Sequence, residues 1–188
     1  MTKFLIFIFT IEMAAGVGVG YGPLYTAVPQ FTAQYEIGND FRIGAGAGIR
    51  YAQPCNQYII RNNKHERSFV NEFEIPVFLR VGYDRDKYFA NLDAGYALAL
   101  YSYYGSNWTP GGEKAPSYNG LFFEPQVGMK LGRHNALALG FLFQQSVVGV
   151  YNIVESGNIE DGSYSVSSTV NSRHMFTPAI TLRYAFVF

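Results

Sequence analysis

The chain has 188 residues, 48% of them hydrophobic and 17% aromatic, and its 14 acidic and 14 basic side chains cancel. Balanced charge gives no basic footprint for nucleic acid, and a near-neutral mean hydropathy excludes the apolar runs of about 20 residues that a helical membrane protein needs. The single cysteine, Cys55, excludes an internal disulfide and has no companions for a cysteine-based metal site.

Residues 1–188 fit one domain. Its start, Met1-Thr2-Lys3 and an apolar run to Ile11, resembles a secretory signal. Glu12, however, stands where small residues should precede a cleavage point. Phe7 onward is therefore read as strand, and residues 1–6 as a tag or signal remnant.

The first segment, Phe7 to Tyr21, sets Phe7, Phe9, Ile11, Met13, Val17 and Val19 on one side and Thr10, Glu12, Gly16, Gly18 and Gly20 on the other. This period of two marks a strand with unlike faces. The second, Tyr25 to Ile37, opposes Phe31, Tyr35 and Ile37 to Thr32, Gln34 and Glu36; the third, Phe41 to Tyr51, opposes Phe41, Ile43 and Ile49 to Arg42, Arg50 and glycines. The fourth, Phe73 to Tyr83, sets Ile75, Val77, Leu79 and Val81 against Glu72, Glu74 and Arg80; the fifth, Tyr88 to Leu100, sets Leu92, Tyr96 and Leu98 against Asn91 and Asp93. In the sixth, Leu121 to Gly132, Phe123, Val127 and Met129 oppose Glu124, Gln126 and Lys130; in the seventh, Leu137 to Gln144, Leu139, Phe141 and Phe143 oppose Ala138, Gly140 and Gln144. The eighth, Phe176 to Phe188, opposes Ile180, Leu182, Tyr184 and Phe186 to Thr181 and Arg183.

Across these segments the apolar face holds no charged residue, while Glu12, Glu36, Arg42, Arg50, Glu72, Glu74, Arg80, Asp93, Glu124, Lys130 and Arg183 share the opposite face with glycines. A soluble barrel or sandwich, a lipocalin-like binder included, does the reverse. Paired charges and glycines suit the inside of a narrow barrel whose outer face meets lipid. The connections sort likewise: tight turns at 38–40, 84–87 and 133–135 alternate with long links at about 54–70, 102–118 and 149–172, and a short link lies near 22–24. Short periplasmic turns and long external loops give this alternation. Tyr21, Tyr25, Tyr51, Tyr83, Tyr88 and Tyr184 near strand ends match an interfacial girdle. The expectation is an all-β, eight-stranded, antiparallel, up-and-down transmembrane barrel.

The strand "GAGAGIRY" (44–51), "FEIPVFLRVGY" (73–83), "GLFFEPQVGMKLG" (120–132) and the closing "TPAITLRYAFVF" (177–188) resemble the small outer-membrane β-barrel proteins of Gram-negative bacteria, the Bacteroides type most closely. The architecture is similar to the membrane domain of outer membrane protein A, and the resemblance covers nearly the whole chain. It implies a bacterial outer-membrane location, a surround of lipid and lipopolysaccharide, and recognition by the barrel-insertion machinery through the terminal strand ending at Phe188.

Candidates for chemistry are few. His65 and His134 fall in polar links and read as solvated. Ser172 and His174 share a parity near the external rim, as a His–Ser pair does in barrels that deacylate lipid A, but a third orienting group is not evident. Glu72 with Glu74, or Glu124 with Asp93, could form an acid–base pair in the lumen; the alternative is a charge network of Glu12, Arg42, Arg50, Glu72, Glu74, Arg80, Asp93, Glu124, Lys130 and Arg183 that fills the barrel. Gly16–Gly20 lacks the strand–turn–helix context of a phosphate loop. No cofactor or metal is expected. The function expected is a non-enzymatic barrel with a structural or surface-interaction role, its long loops meeting an extracellular partner; a narrow channel for small hydrophilic solutes or ions and a lipid A-modifying enzyme are the alternatives.

Overall fold

The computed structural model describes residues 7–18, 26–38, 40–53, 55–61, 64–104, 120–156 and 165–188. Its strands are β1 (Phe7–Gly18), β2 (Thr26–Ile37), β3 (Phe41–Gly48), β4 (Arg50–Ala52), β5 (Cys55–Arg61), β6 (Lys64–Arg85), β7 (Tyr88–Tyr104), β8 (Gly120–Lys130), β9 (Asn135–Ser156) and β10 (Ser165–Val187). β3 and β4 form one stave interrupted at Ile49, since both pair with β2 and with β6. The staves run β1, β2, β3/β4, β6, β7, β8, β9, β10, and β10 returns to β1 through Thr10↔Val187 to Gly18↔Ala179. Eight antiparallel staves thus close on themselves. Closure satisfies every main-chain group that lipid would leave bare.

Alternation fixes which way the sheet faces. In β8 the burial alternates residue by residue from Gly120 to Val127, with Phe122, Glu124 and Gln126 buried and Leu121, Phe123 and Val127 exposed. Ile11, Ile43, Leu79, Val81, Leu92, Leu139, Ile180 and Leu182 are exposed outside, whereas Glu12, Arg50, Glu74, Arg80, Asp93, Glu124 and Arg183 are buried inside. The outer apolar band matches hydrocarbon, where a soluble protein would present polar groups. Tyr83, Tyr88 and Tyr184 lie exposed at the end of the barrel that carries the tight turns, and Phe41 packs on Tyr83 with ring centroids 5.1 Å apart. Tyr21 and Tyr25 lie outside the described residues, as do residues 1–6.

The tight turns fall as the sequence indicates. Gly38 (φ 74°) and Asp86 (φ 55°) adopt the left-handed region that such turns require. Glycine does so without penalty, and aspartate tolerates it because its short side chain can bond locally.

The external links differ from expectation. Most of 54–70 and of 149–172 is strand, not loop: β5 occupies the former with the first part of β6, and β9 and β10 extend to Ser156 and Ser165. The fifth segment likewise continues to Tyr104, and 105–119, with Trp108 and Pro110, lies outside the described residues. Above the membrane both faces of a sheet can meet water, so the alternation that reveals a half-buried strand fades.

β5 makes an arrangement that the hydropathy pattern does not foreshadow. It pairs antiparallel with β6 on one edge and parallel with β9 on the other, from Gln57↔Gly149 to Arg61↔Ile153. In the ring, β3/β4 and β9 stand four staves apart by either route. β5, which continues from β4, runs alongside β9 and so links the β3/β4 stave and β6 to the opposite wall at the external mouth.

Candidate functional site

The inward parity of β1, β6, β7, β8 and β10 gathers five charged groups at mid-barrel. Arg80 donates through Nε to Asp93 Oδ1 at 2.6 Å and through Nη2 to Asp93 Oδ2 at 2.7 Å. Its Nη2 also reaches Glu12 Oε2 at 3.0 Å, and Nη1 donates to Glu12 Oε1. Arg183 donates through Nε to Glu124 Oε1 at 2.8 Å, through Nη2 to Glu124 Oε2, and through Nη1 to Glu12 Oε2 at 3.2 Å. The chain of pairs Asp93–Arg80–Glu12–Arg183–Glu124 crosses the lumen. Gln30 donates to Glu12 at 2.8 Å, Gln126 to Asp93 at 2.8 Å, and Thr181 to Glu124 at 2.5 Å. Forked arginine–carboxylate pairs with further donors are the arrangement in which buried charge is best compensated.

Toward the external side, Arg50 donates to Gln144 Oε1 at 2.6 Å and lies 3.5 Å from Glu74, to which Gln144 donates in turn at 2.5 Å. The Arg50 guanidinium sits 4.6 Å from the centroid of the Phe122 ring, which meets Phe78 edge-on at 6.1 Å. Phe78 and Phe122 join Ala52, Ala97, Leu142 and Ala179 in a buried apolar cluster. Glu72 accepts from Ser102 at 2.8 Å. Toward the tight turns, Asp84 lies 3.4 Å from Arg42 and 2.9 Å from Lys130, beside a cavity of about 210 Å³ lined by Thr10, Gln34, Asn91 and these charges. From the turn end outward the lumen thus passes from a polar vestibule to an ionic layer, then to an aromatic layer, and ends under the β5 strap.

The carboxylates considered for acid–base work are placed apart or held by different partners. Asp93 and Glu124 face each other across β7 and β8, but Arg80 claims one and Arg183 the other. Glu72 and Glu74, two residues apart on β6, are bonded to Ser102 and to Gln144 with Arg50. Ser172 and His174 lie exposed on β10 beyond the barrel wall, opposite Gly149 and Val147. The His174 Nδ1 accepts from the Gln145 amide at 3.3 Å. His134 is engaged at the other end, its Nδ1 2.9 Å from the Val187 carbonyl oxygen and its ring stacked on Phe186. His65 stands on β6 opposite Ile60. Among the described residues no three His, Cys, Asp or Glu side chains gather as metal ligands.

Sequence reading by charge alone passes over Gln30, Gln126, Gln144 and Thr181, which complete the ionic layers, and over Phe78 and Phe122, which cap them. Their parity is the signal: each stands on the same face as the charged residues.

A closed ring of eight staves with lipid-matched side chains outside and compensated charges inside is a transmembrane β-barrel of the small outer-membrane class. Such a barrel resides in a bacterial outer membrane. No family model matches the sequence, and no curated protein matches it. Among solved structures the chain is similar to Neisserial surface protein A (14% identity, 96% of each chain covered, TM-score 0.49). It is also similar to Ail, the attachment invasion locus protein of Yersinia pestis, solved in complex with the heparin analogue sucrose octasulfate (10% identity, 97% of each chain, TM-score 0.47). A third is the outer membrane protein AlkL, solved in lipid bilayers (13% identity, 97% of this chain and 89% of that one, TM-score 0.44). The class rests on this chain's own alternation and burial.

Proposed function

We propose that the protein is a non-conducting outer-membrane scaffold that holds external strands rigidly for contact with a partner outside the cell. The observation that supports this reading is the filled lumen: paired charges, then the Phe78–Phe122 layer, then β5 across the mouth. A solute path would need a continuous wet route, and side chains of a narrow barrel occupy that space. The external side, by contrast, is elaborated. At about 3.3 Å per residue and a tilt of about 40°, the stretch from Thr177 to Ser165 rises roughly 30 Å above the apolar belt. A strand pair of that height clears the hydrocarbon and stands among headgroups and sugars.

In this reading lipid and lipopolysaccharide surround the belt, and the β10 terminus at Phe188 is the segment that the insertion machinery reads. Ser172 and His174 then act as polar rim residues, with Gln145 holding the histidine. Planar-bilayer conductance tests the scaffold: folded protein is expected to be silent, and reproducible single-channel steps would overturn the reading in favour of a channel. Lipid A analysed by mass spectrometry with native protein and with His174→Ala tests the enzymatic alternative; an acyl pattern that depends on His174 would replace the scaffold reading.

A further inference from the structure

The polar vestibule at the turn end gathers side-chain groups that the rest of the protein leaves unsatisfied. Among the described residues six buried side-chain nitrogens and oxygens have no hydrogen-bond partner. Four of the six belong to residues around this one cavity: Gln34 Oε1, Arg42 Nε, Asp84 Oδ1 and Asn91 Oδ1. Gln34, Arg42 and Asn91 are each at least nine-tenths buried. The four residues come from the consecutive staves of β2, β3, β6 and β7. The ionic layer beside them differs, since every buried oxygen and nitrogen of Glu12, Arg80, Asp93, Glu124 and Arg183 has its partner.

Gly82 makes the room. Arg42, Gly82 and Asn91 are register partners across β3, β6 and β7. A Cβ at position 82 would stand 2.8 Å from Asn91 Oδ1 and 3.6 Å from Arg42 Nε. The recess over this glycine is therefore flanked by one open acceptor and one open donor. Asp84 holds both Arg42 and Lys130 through Oδ2 alone, which leaves its Oδ1 open. Phe89, which lies against Gly128, supplies apolar wall, and the exposed Arg133 stands at the rim. A cavity of about 210 Å³ is the room of about seven waters at roughly 30 Å³ each, or of one sugar ring.

We propose that the vestibule is a binding site, reached from the periplasmic side where the tight turns lie, for a small neutral polyol the size of a monosaccharide. Three acceptors and a donor are costly to leave buried and unmet. Hydroxyls both donate and accept, so adjacent hydroxyls on one small ring complement all four. Charge disfavours the alternatives: a cation meets Arg42 and Lys130, and an anion meets the Asp84 carboxylate and two amide oxygens. Phe89 offers an apolar face for the C–H side of a sugar ring, and a few placed polar groups beside apolar wall are the usual make-up of a small-molecule site. The Glu12, Arg80 and Arg183 side chains line the inner end and are bonded to one another there. Such a blind recess takes a free sugar in preference to a unit within a glycan chain. The site is independent of the scaffold reading, because it uses neither the external strands nor a path through the barrel.

Nuclear magnetic resonance of the isotopically labelled full chain in lipid nanodiscs tests it, with glucose as the probe. Glucose at millimolar concentration is expected to shift the Gly82 and Asn91 amides and the Arg42 Nε–H resonance saturably. Acetate and ammonium should leave the same resonances without a saturable shift, and maltotriose, a chain of the same ring, should bind less tightly than glucose. Gly82→Val fills the recess and Asn91→Leu removes its acceptor; each should weaken glucose binding about tenfold, the loss of about one hydrogen bond. Unheated gel mobility of each variant confirms that its barrel is closed, and if a variant does not fold, the four probes on the native chain decide alone. No saturable shift with glucose overturns the proposal and leaves water in the cavity. Unchanged affinity in both folded variants overturns it by placing the sugar elsewhere. Acetate or ammonium binding as tightly as glucose, or maltotriose binding more tightly, overturns the assigned ligand class.

Discussion

Arg80 and Asp93 face each other across β6 and β7 and are joined by two parallel hydrogen bonds of 2.6 and 2.7 Å, while the same guanidinium holds Glu12 on β1, three staves away. One cation thus compensates two buried anions, and the far side of the ring is tied to the near side through a single side chain.

Removing Arg80 should therefore be severe. Arg80→Met leaves Glu12 with the Arg183 cation beside its neutral donors Thr10 and Gln30, and Asp93 with the neutral Gln126, and truncating one partner of a buried ionic group costs about 3–5 kcal/mol. Reversible urea unfolding in lipid vesicles measures it. The triple variant Glu12→Gln, Arg80→Met, Asp93→Asn should recover much of the loss, because it removes the orphaned charges together. Loss below about 1 kcal/mol for Arg80→Met would contradict the compensation described here.

Two leucines on opposite faces of one stave should respond to opposite chemistry. Leu139 is 45% exposed on the lipid face and Leu142 1% exposed in the lumen. Leu139→Arg should cost about 2–4 kcal/mol, as arginine does near the bilayer midplane, and Leu139→Ala much less. Leu142→Ala should cost about 2–5 kcal/mol by opening a cavity under Phe122. The same vesicle titrations distinguish them, and equal, small losses at both sites would reverse the inside–outside assignment.

The strap can be caught covalently. Ile59 and Tyr151 are register partners in the parallel β5–β9 ladder, and neighbouring strands bring such pairs within disulfide range. In a Cys55→Ser background, Ile59→Cys with Tyr151→Cys should oxidise to a monomer that migrates differently before and after reduction. A pair that stays reduced, or links only between chains, would place β5 elsewhere than across the mouth.

Closure of the ring has a simple signature. Detergent-extracted protein should run compact on gels when unheated and slower once boiled, since a barrel without edges resists detergent. Identical mobility before and after boiling would argue against a closed membrane barrel.

The staves were legible because one face meets lipid and the other meets charge. Ile11 beside Glu12, Leu79 beside Arg80 and Leu182 beside Arg183 declare opposite sides of the sheet to anyone counting by two. The same rule fails where both faces are wet: "VVGVYNIVES" (147–156) does not alternate cleanly, and it is strand because β10 supplies its hydrogen bonds. β5 was unreadable for another reason. Cys55–Arg61 depends on β9, far along the chain, and pairs with it in parallel, a contact that no local pattern encodes. At the centre, parity placed Arg50, Arg80 and Arg183 inside, but which carboxylate each would hold depends on how the ring curls, and Glu12's position between two arginines emerged only from closure.

β5, through its tie to β9, also sets an order of events. Its partner on β9 is made only after six of the eight staves have left the ribosome, and the long loop that joins them is entropically slow to close. The external mouth therefore stays unlatched until β5 meets β9, a contact between segments far apart in the chain that forms late in folding. A chain stalled before Gly149 would carry β5 with one edge bare, which makes that hairpin a marker that distinguishes finished barrels from unfinished ones.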